Sequence, residues 1–246
     1  MGHHTLAVGH RGAPLAAVEN TLASIDVAIA AGADWVEVDV WLTRDRVPVL
    51  LHDRTLDRIW GIPRPVADLD AADLPGRAGS ELTPGADHRI PTLREALDFV
   101  RGRGIRLLID IRGLPEAAAS VVTAAELGRM DEVAFTGNPE GLALVREAAP
   151  AAVMTMTWDS PVQPGAELLG RVRPQYINQP WPLLNPAVID TIHAGGHLVA
   201  TYTVDDRERM RDLADADVDA ITSNDIAALV PLLREHAGGK VAEHGH

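Results

Sequence analysis

The sequence predicts an α/β fold, a closed (β/α)8 barrel, and three observations carry the prediction. Short apolar runs alternate with amphipathic stretches along the chain, giving eight strand-then-helix units. Eight such units within 246 residues suit a closed barrel better than an open doubly wound sheet. No G-x-G-x-x-G follows a strand, so the dinucleotide-binding alternative lacks its main support.

The elements follow in order. Thr5 to Gly9 reads as the first strand, and Asn20 to Ala31 as a helix with Leu22, Ile25 and Ile29 at helical spacing. Trp35 to Leu42 is the second strand, extended after a turn by Val47 to Leu51. The Pro/Gly-richer segment at about 54–89 reads as a small surface insertion after strand two, not as a linker, because patterned segments resume on both sides. Pro91-Thr92 opens a helix over Leu93 to Arg103, with Glu95 three residues after Thr92 as in a capping box. Arg106 to Ile111 is a strand and Pro115 to Gly128 a helix.

The same alternation continues through Glu132–Phe135, Pro139–Ala148, Ala152–Thr157, Gly165–Val172, Gln175–Asn178, Pro186–Ala194, His197–Val204, Arg207–Ala216, Ala220–Thr222 and Ile226–His236. No composition break marks a boundary, so residues 1–246 read as a single domain. The tail, about 237–246, is Gly- and His-bearing and unpatterned, and reads as a disordered end.

Composition narrows the chemistry. An apolar fraction of 46% supports a large core. The absence of cysteine excludes disulfides, thiolate catalysis and Cys-ligated metals, so any metal must be held by carboxylates and histidines. No signal-peptide pattern opens the chain, and no apolar run approaches the ~18–20 residues that span a bilayer. A soluble, cytoplasmic protein is the expectation. A formal charge of −13 argues against nucleic acid or an anionic membrane as the main partner. An anionic substrate would then need a local positive site.

A barrel places its chemistry at the C-terminal ends of the strands, and the unusual residues fall there. In WVEVDVWL, Glu37 and Asp39 alternate with Val36, Val38 and Val40, so both carboxylates share one face of the strand. Asp110 ends the next barrel strand, and three converging hard oxygen ligands suit Mg2+ or Ca2+. Structural ion pairs with Arg11, Arg44 or Arg112 are the bland alternative. His10 and His52, on adjacent loops, form a natural acid–base pair because imidazole titrates near neutrality. Arg11 and Arg112 offer planar forks for a phosphate. Glu19 and Asn20 precede the first helix. Asn20 suits an N-cap, and Glu19 suits orienting Arg11 or a histidine. His3, His4, His88, His193, His197 and the tail histidines lack such a setting and read as ordinary polar residues.

Together GHRGAP (Gly9–Pro14), ENT (Glu19–Thr21), GADWVEVDVWLTRDRVPVLLHD (Gly32–Asp53), RIPTLREAL (Arg89–Leu97) and the late YTVDD and VDAITSND segments closely resemble the glycerophosphodiester phosphodiesterase family, from Gly9 to about Leu229. The resemblance implies a metal-dependent TIM-barrel hydrolase of lipid and glycerol metabolism, acting on a small-molecule phosphodiester to release an alcohol and sn-glycerol 3-phosphate. It implies His10 and His52 as general acid and base, Arg11 as a phosphate ligand, and Glu37 and Asp39 as ligands of a divalent cation. The family's third ligand is usually a Glu in an E-x-K element; here that element reads Asp110-Ile111-Arg112. Two alternatives stand beside this reading. One is headgroup cleavage like that of a lysophospholipase D or sphingomyelinase D, with Trp60, Trp158 and Trp181 as an apolar track. The other is a non-catalytic phosphate-binding barrel.

Overall fold

The computed structural model describes residues 4–76 and 88–243. In chain order, β1 (Leu6–Gly9) leads to α1 (Leu22–Ala31), and β2 (Trp35–Leu42) turns back into β3 (Pro48–Leu50). A short ribbon follows: β4 (Thr55–Leu56), α2 (Asp57–Trp60) and β5 (Ile62–Pro65). Then come α3 (Leu93–Val100), β6 (Arg106–Ile111), α4 (Leu114–Glu126), β7 (Val133–Gly137), α5 (Pro139–Ala148), β8 (Val153–Thr157) and α6 (Ala166–Val172). The chain finishes with β9 (Tyr176–Pro180), α7 (Pro186–Ala194), β10 (Leu198–Tyr202), α8 (Arg207–Asp215), β11 (Ala220–Ser223) and α9 (Ile226–Glu243).

Eight parallel strands close on themselves in the order β1-β2-β6-β7-β8-β9-β10-β11, with β11 returning to β1. Antiparallel β3 lies beside β2. Along β2, Val36, Val38 and Val40 are fully buried against the helical layer, which turns Glu37 and Asp39 to the barrel interior. The same alternation in β6 sends Leu107, Ile109 and Ile111 outward and leaves Leu108 and Asp110 inside. Parallel register sets Asp39 beside Asp110, and Asp110 beside Thr136.

The bottom of the barrel is plugged by Val8, Trp35, Leu108, Ala134, Tyr176, Ala200 and Ala220, with Trp35 and Tyr176 edge to face at 5.6 Å. Polar residues are thereby left to the opposite, C-terminal mouth. Between barrel and helices lies the main core, in which Phe135, Ile25 and Leu142 are fully buried. Each such side chain contributes roughly 1.5–3 kcal/mol by leaving water.

Helix starts follow the capping chemistry. The Thr92–Glu95 box is fully formed, and Asn138 and Asn185 cap α5 and α7 just before Pro139 and Pro186. Three expectations are corrected. Thr21, not Asn20, caps α1 by accepting from the Ser24 amide at 3.2 Å, because the Asn20 side chain is committed to Asp39. Helix α3 stops at Val100, since Gly102 and Gly104 take left-handed φ values of 68° and 70°. Helix α9 runs to Glu243 through much of the stretch expected to be a disordered tail, anchored by Leu229 and Val230 in the core. Residues 244–246 lie outside the described residues.

Within the insertion expected at 54–89, the ribbon packs Leu56 and Val66 against Val49, Leu51 and Ile90 as a separate small cluster. Residues 77–87 of that insertion lie outside the described residues. Among the described residues, no helix is long and apolar enough to cross a membrane.

Candidate active site

The β1–α1 loop carries His10 and Arg11 into the mouth through a tight turn. Arg11 and Gly12 both have positive φ, 54° and 89°. The turn is pinned by Ser24, whose hydroxyl donates to the Arg11 carbonyl at 2.9 Å and accepts from the Ala13 amide at 2.7 Å. The Arg11 amide donates to Glu37 Oε2 at 2.9 Å, which fixes that carboxylate relative to the loop.

His10 Nδ1 lies 2.7 Å from Asn224 Oδ1. Asn224 donates its amide group to Asp205 at 2.8 Å, so its oxygen must accept, and the His10 proton is assigned to Nδ1. That leaves Nε2 unprotonated, 3.9 Å from Glu37. Burial and the neighbouring Arg11 charge lower the His10 pKa, with the Asn224 bond opposing them.

The three predicted carboxylates do come together. Glu37, Asp39 and Asp110 offer oxygens that all lie within 4.8 Å of one another. Burial raises Glu37 well above the usual carboxylate range, and repulsion from Asp39 and Asp110 adds to it. Burial lifts Asp110 to about 7, with Arg112 opposing and Asp39 reinforcing. An all-oxygen donor set strained by mutual repulsion fits a hard divalent cation, whose charge would relieve the strain.

The ion pairs weighed as the bland alternative are also present for two of the three arginines. Asp39 accepts from Arg112, from Asn20 Nδ2 at 2.8 Å, and lies 3.3 Å from Arg11 Nε. Arg44 instead pairs with Asp70, away from the cluster. Arg112 also lies 3.5 Å from Asp110, and its buried Nε has no hydrogen-bond partner. That Nε is a spare donor at the site.

His52 is held differently. Its Nδ1 lies 2.6 Å from Asp53 Oδ1, and Arg58 Nε donates to Asp53 Oδ2 at 2.6 Å. The Arg58 bond is the main reason the Asp53 pKa falls below its usual range. Arg58 also reaches Glu19 through both terminal nitrogens, at 3.0 and 2.7 Å, and Glu19 accepts from Arg11 at 3.0 Å. Burial alone would raise Glu19, but Arg58 and Arg11 together hold it low. His52 is thus tied to Arg11 by the chain Asp53, Arg58, Glu19.

A cavity of about 510 Å3 opens over the cluster. His10, Glu37, Asp110 and Arg112 line one side; Thr136, Asn138, Thr157, Asp159, Asn178 and Tyr202 line the other. His52 is not among its lining residues, and neither are Trp60, Trp158 or Trp181. Trp60 packs under the ribbon, and the other two pack against the main core. Of the histidines read as ordinary, His193 bonds Asp219 at 2.8 Å and His4 lies 3.5 Å from Asp34. His3 lies outside the described residues.

Sequence reasoning missed Arg58 and the wall residues Thr136, Asn138, Thr157 and Asp159. Arg58 carried no signal beyond its place six residues after His52. Asn138 fell in the connection just before the helix expected from Pro139.

A parallel barrel gathers carboxylates, an imidazole and spare guanidinium donors at its C-terminal mouth, and the relatives it resembles make the chain an enzyme of the phosphoric diester hydrolase class. The comparisons give the family. The model of the Glycerophosphoryl diester phosphodiesterase family matches residues 10–228, and the chain belongs to that family. A glycerophosphodiester phosphodiesterase of Caldanaerobacter subterraneus is 26% identical over 244 residues, covering 94% of this chain and 98% of that one. The Rattus norvegicus glycerophosphodiester phosphodiesterase 1 is 36% identical over 125 residues, but the match spans 47% of this chain and only 36% of the relative. Among solved structures, an Oleispira antarctica phosphodiesterase in complex with the product sn-glycerol-3-phosphate superposes with a TM-score of 0.85, at 24% identity, covering 94% of this chain and 97% of that chain.

Proposed function

We propose that the chain is a divalent-cation-dependent glycerophosphodiester phosphodiesterase that releases an alcohol and sn-glycerol 3-phosphate. The observation that carries this reading is the meeting of Glu37, Asp39 and Asp110 with the Arg11 and Arg112 guanidinium groups, beneath a cavity lined by His10, Glu37, Asp110 and Arg112. Mg2+ or Ca2+ held by those carboxylates would supply Lewis-acid charge for a phosphate. Arg112, with its spare Nε, and Arg11 neutralise non-bridging phosphate oxygens, the kind of electrostatic help that dominates phosphoryl transfer.

His10 and His52 exchange protons with the substrate. One takes the proton of the attacking hydroxyl as its oxygen bonds to phosphorus; attack by water gives sn-glycerol 3-phosphate directly, whereas attack by the glycerol 2-hydroxyl gives a cyclic phosphate that a water then opens. The other gives a proton to the alkoxide released when the P–O bond to the alcohol breaks. Each has Nδ1 committed to a neighbour, which leaves Nε2 for the transfer. His52 stands outside the cavity lining, so its part requires substrate to extend toward the ribbon or the β3–β4 loop to move inward.

Asn20 and Glu19 position Asp39 and Arg11. The net charge of −13 argues against nucleic acid or an anionic membrane surface as partner, and a small phosphodiester substrate, a cytoplasmic location and a place in lipid and glycerol metabolism belong to the same proposal. The test is a panel of glycerophosphodiesters assayed with Mg2+, Ca2+ and Mn2+, with detection of sn-glycerol 3-phosphate. Its release from at least one ester is expected; no release with any cation would defeat the reading.

A further inference from the structure

We propose that the cavity wall formed by Asp159, Asn178 and Tyr202 is the subsite for the leaving alcohol, and that it selects alcohols bearing a primary ammonium group, of the ethanolamine type. The inference rests on the phosphodiesterase reading and adds the substrate class. Asp159 follows β8 by two residues and stands exposed at the rim of the cavity, where its Oδ1 accepts from the Tyr202 hydroxyl at 2.6 Å. Among the described residues no arginine, lysine or histidine forms an ion pair with it. Asp39 and Asp110 on the opposite wall have Arg112 as a cationic neighbour, and Glu19 beside them has Arg11 and Arg58. Asp159 is a cavity-lining carboxylate with no cationic side chain among the described residues paired to it, and it faces a substrate that is itself an anion. Such a charge opposes binding unless another part of the substrate is cationic.

Asn178 is the second observation. It is 8% exposed, lines the same cavity, and its Oδ1 is buried with no hydrogen-bond partner. A buried acceptor without a donor is costly, and a ligand that brings an N–H satisfies it. Register holds the two groups on one wall: Asn178 pairs with Thr157, two residues before Asp159, and its carbonyl accepts from the Trp158 amide at 3.0 Å.

The wall therefore offers acceptors and one negative charge. A primary ammonium brings three donors and a positive charge, and matches both. A quaternary ammonium has no donor and is recognised by aromatic faces. Tyr202 is the only aromatic side chain among the described residues that line the cavity, so no cage for it is present.

The test compares kcat/KM for glycerophosphoethanolamine, glycerophosphocholine and glycerophosphoglycerol, using the wild-type chain and Asp159→Asn under one saturating cation. The variant keeps the size and the oxygen that accepts from Tyr202, and an unchanged melting temperature verifies its fold. The wild type should prefer the ethanolamine ester over the choline ester by about 10-fold, the scale of one charge-assisted contact at a half-open site. Asp159→Asn should lose most of that preference, with kcat/KM falling several-fold more on the ethanolamine ester than on the choline or glycerol ester. An equal fall on all three esters would overturn the proposal, because Asp159 would then contact the glycerol common to them. So would an unchanged ratio, or a wild type that prefers choline. Turnover of none of the three with any of Mg2+, Ca2+ and Mn2+ would overturn the phosphodiesterase reading itself, and the proposal with it.

Discussion

Replacing Arg58 with alanine separates the two arms of the site without touching either histidine. Its guanidinium makes three hydrogen bonds, one to Asp53 at 2.6 Å and two to Glu19 at 3.0 and 2.7 Å. Asp53 orients His52 and Glu19 orients Arg11, so the loss loosens a histidine and the arginine proposed to bind phosphate together. The Arg58 side chain is 46% exposed, which calls for the small energies of solvated pairs. Three contacts at ~0.3–0.7 kcal/mol each give about 1–2 kcal/mol of stability.

The effect on turnover should be larger than that figure suggests, because angular freedom in reacting groups costs rate directly. A fall in kcat of about 10- to 100-fold is expected, with KM moving less. Arg58→Lys keeps the charge but not the fork that spans two carboxylates, and should recover only part of the rate. The assay is a double-mutant cycle with Asp53→Asn. If both act through His52, the double variant should be less impaired than the sum of the singles by at least about 1 kcal/mol. An Arg58→Ala enzyme with kcat within twofold of wild type, or fully additive effects, would refute the positioning argument.

Three further outcomes follow from the same geometry. Arg58 holds Asp53 and Glu19 below their usual pKa, so its stabilisation is present above the unfolded-state value near ~4 and is lost as pH falls through the depressed folded values. The difference in urea midpoint between wild type and Arg58→Ala should accordingly be full at pH 7 and shrink toward pH 3; a constant difference contradicts this. Gly12→Ala should destabilise by about 1–3 kcal/mol, read from chemical denaturation, and reduce turnover with it. Its φ is 89°, and a Cβ would lie 2.3 Å from Ser24 Oγ and 2.6 Å from the Ser24 carbonyl carbon. His10→Ala and His52→Ala should each lower kcat by about 100- to 10,000-fold with near-native circular dichroism; a mild loss in either removes that histidine from proton transfer.

Much of this architecture was legible in the chain because strand alternation and helix starts are local. Trp35–Leu42 and Arg106–Ile111 are strands with the bounds their valine and leucine runs suggested, and Pro139 and Pro186 open the helices that their preceding asparagines cap. The β4–β5 ribbon was not legible. Its strands are two and four residues long and carry Pro63 and Pro65, and packing of Leu56 and Val66 holds them where propensity does not. In the site, the facing of Glu37 and Asp39 followed from the two-residue period of a strand. The contacts that decide their electrostatics did not. Asn20 leaves the cap position to reach Asp39, and Arg58 reaches back 39 residues to Glu19, because closure of the barrel brings those loops together. Asp159 and Asn138 likewise become a wall only when β7, β8 and β9 curve round a common axis.

The central claim is that Glu37, Asp39 and Asp110 hold a cation without which the mouth repels a phosphodiester. It is tested most directly by stripping the protein with a chelator and measuring release of sn-glycerol 3-phosphate before and after a divalent cation is returned. Turnover should be lost on chelation and should recover with Mg2+, Ca2+ or Mn2+ in the wild type, with recovery abolished in Glu37→Gln. Full turnover in the stripped wild-type protein would contradict the claim.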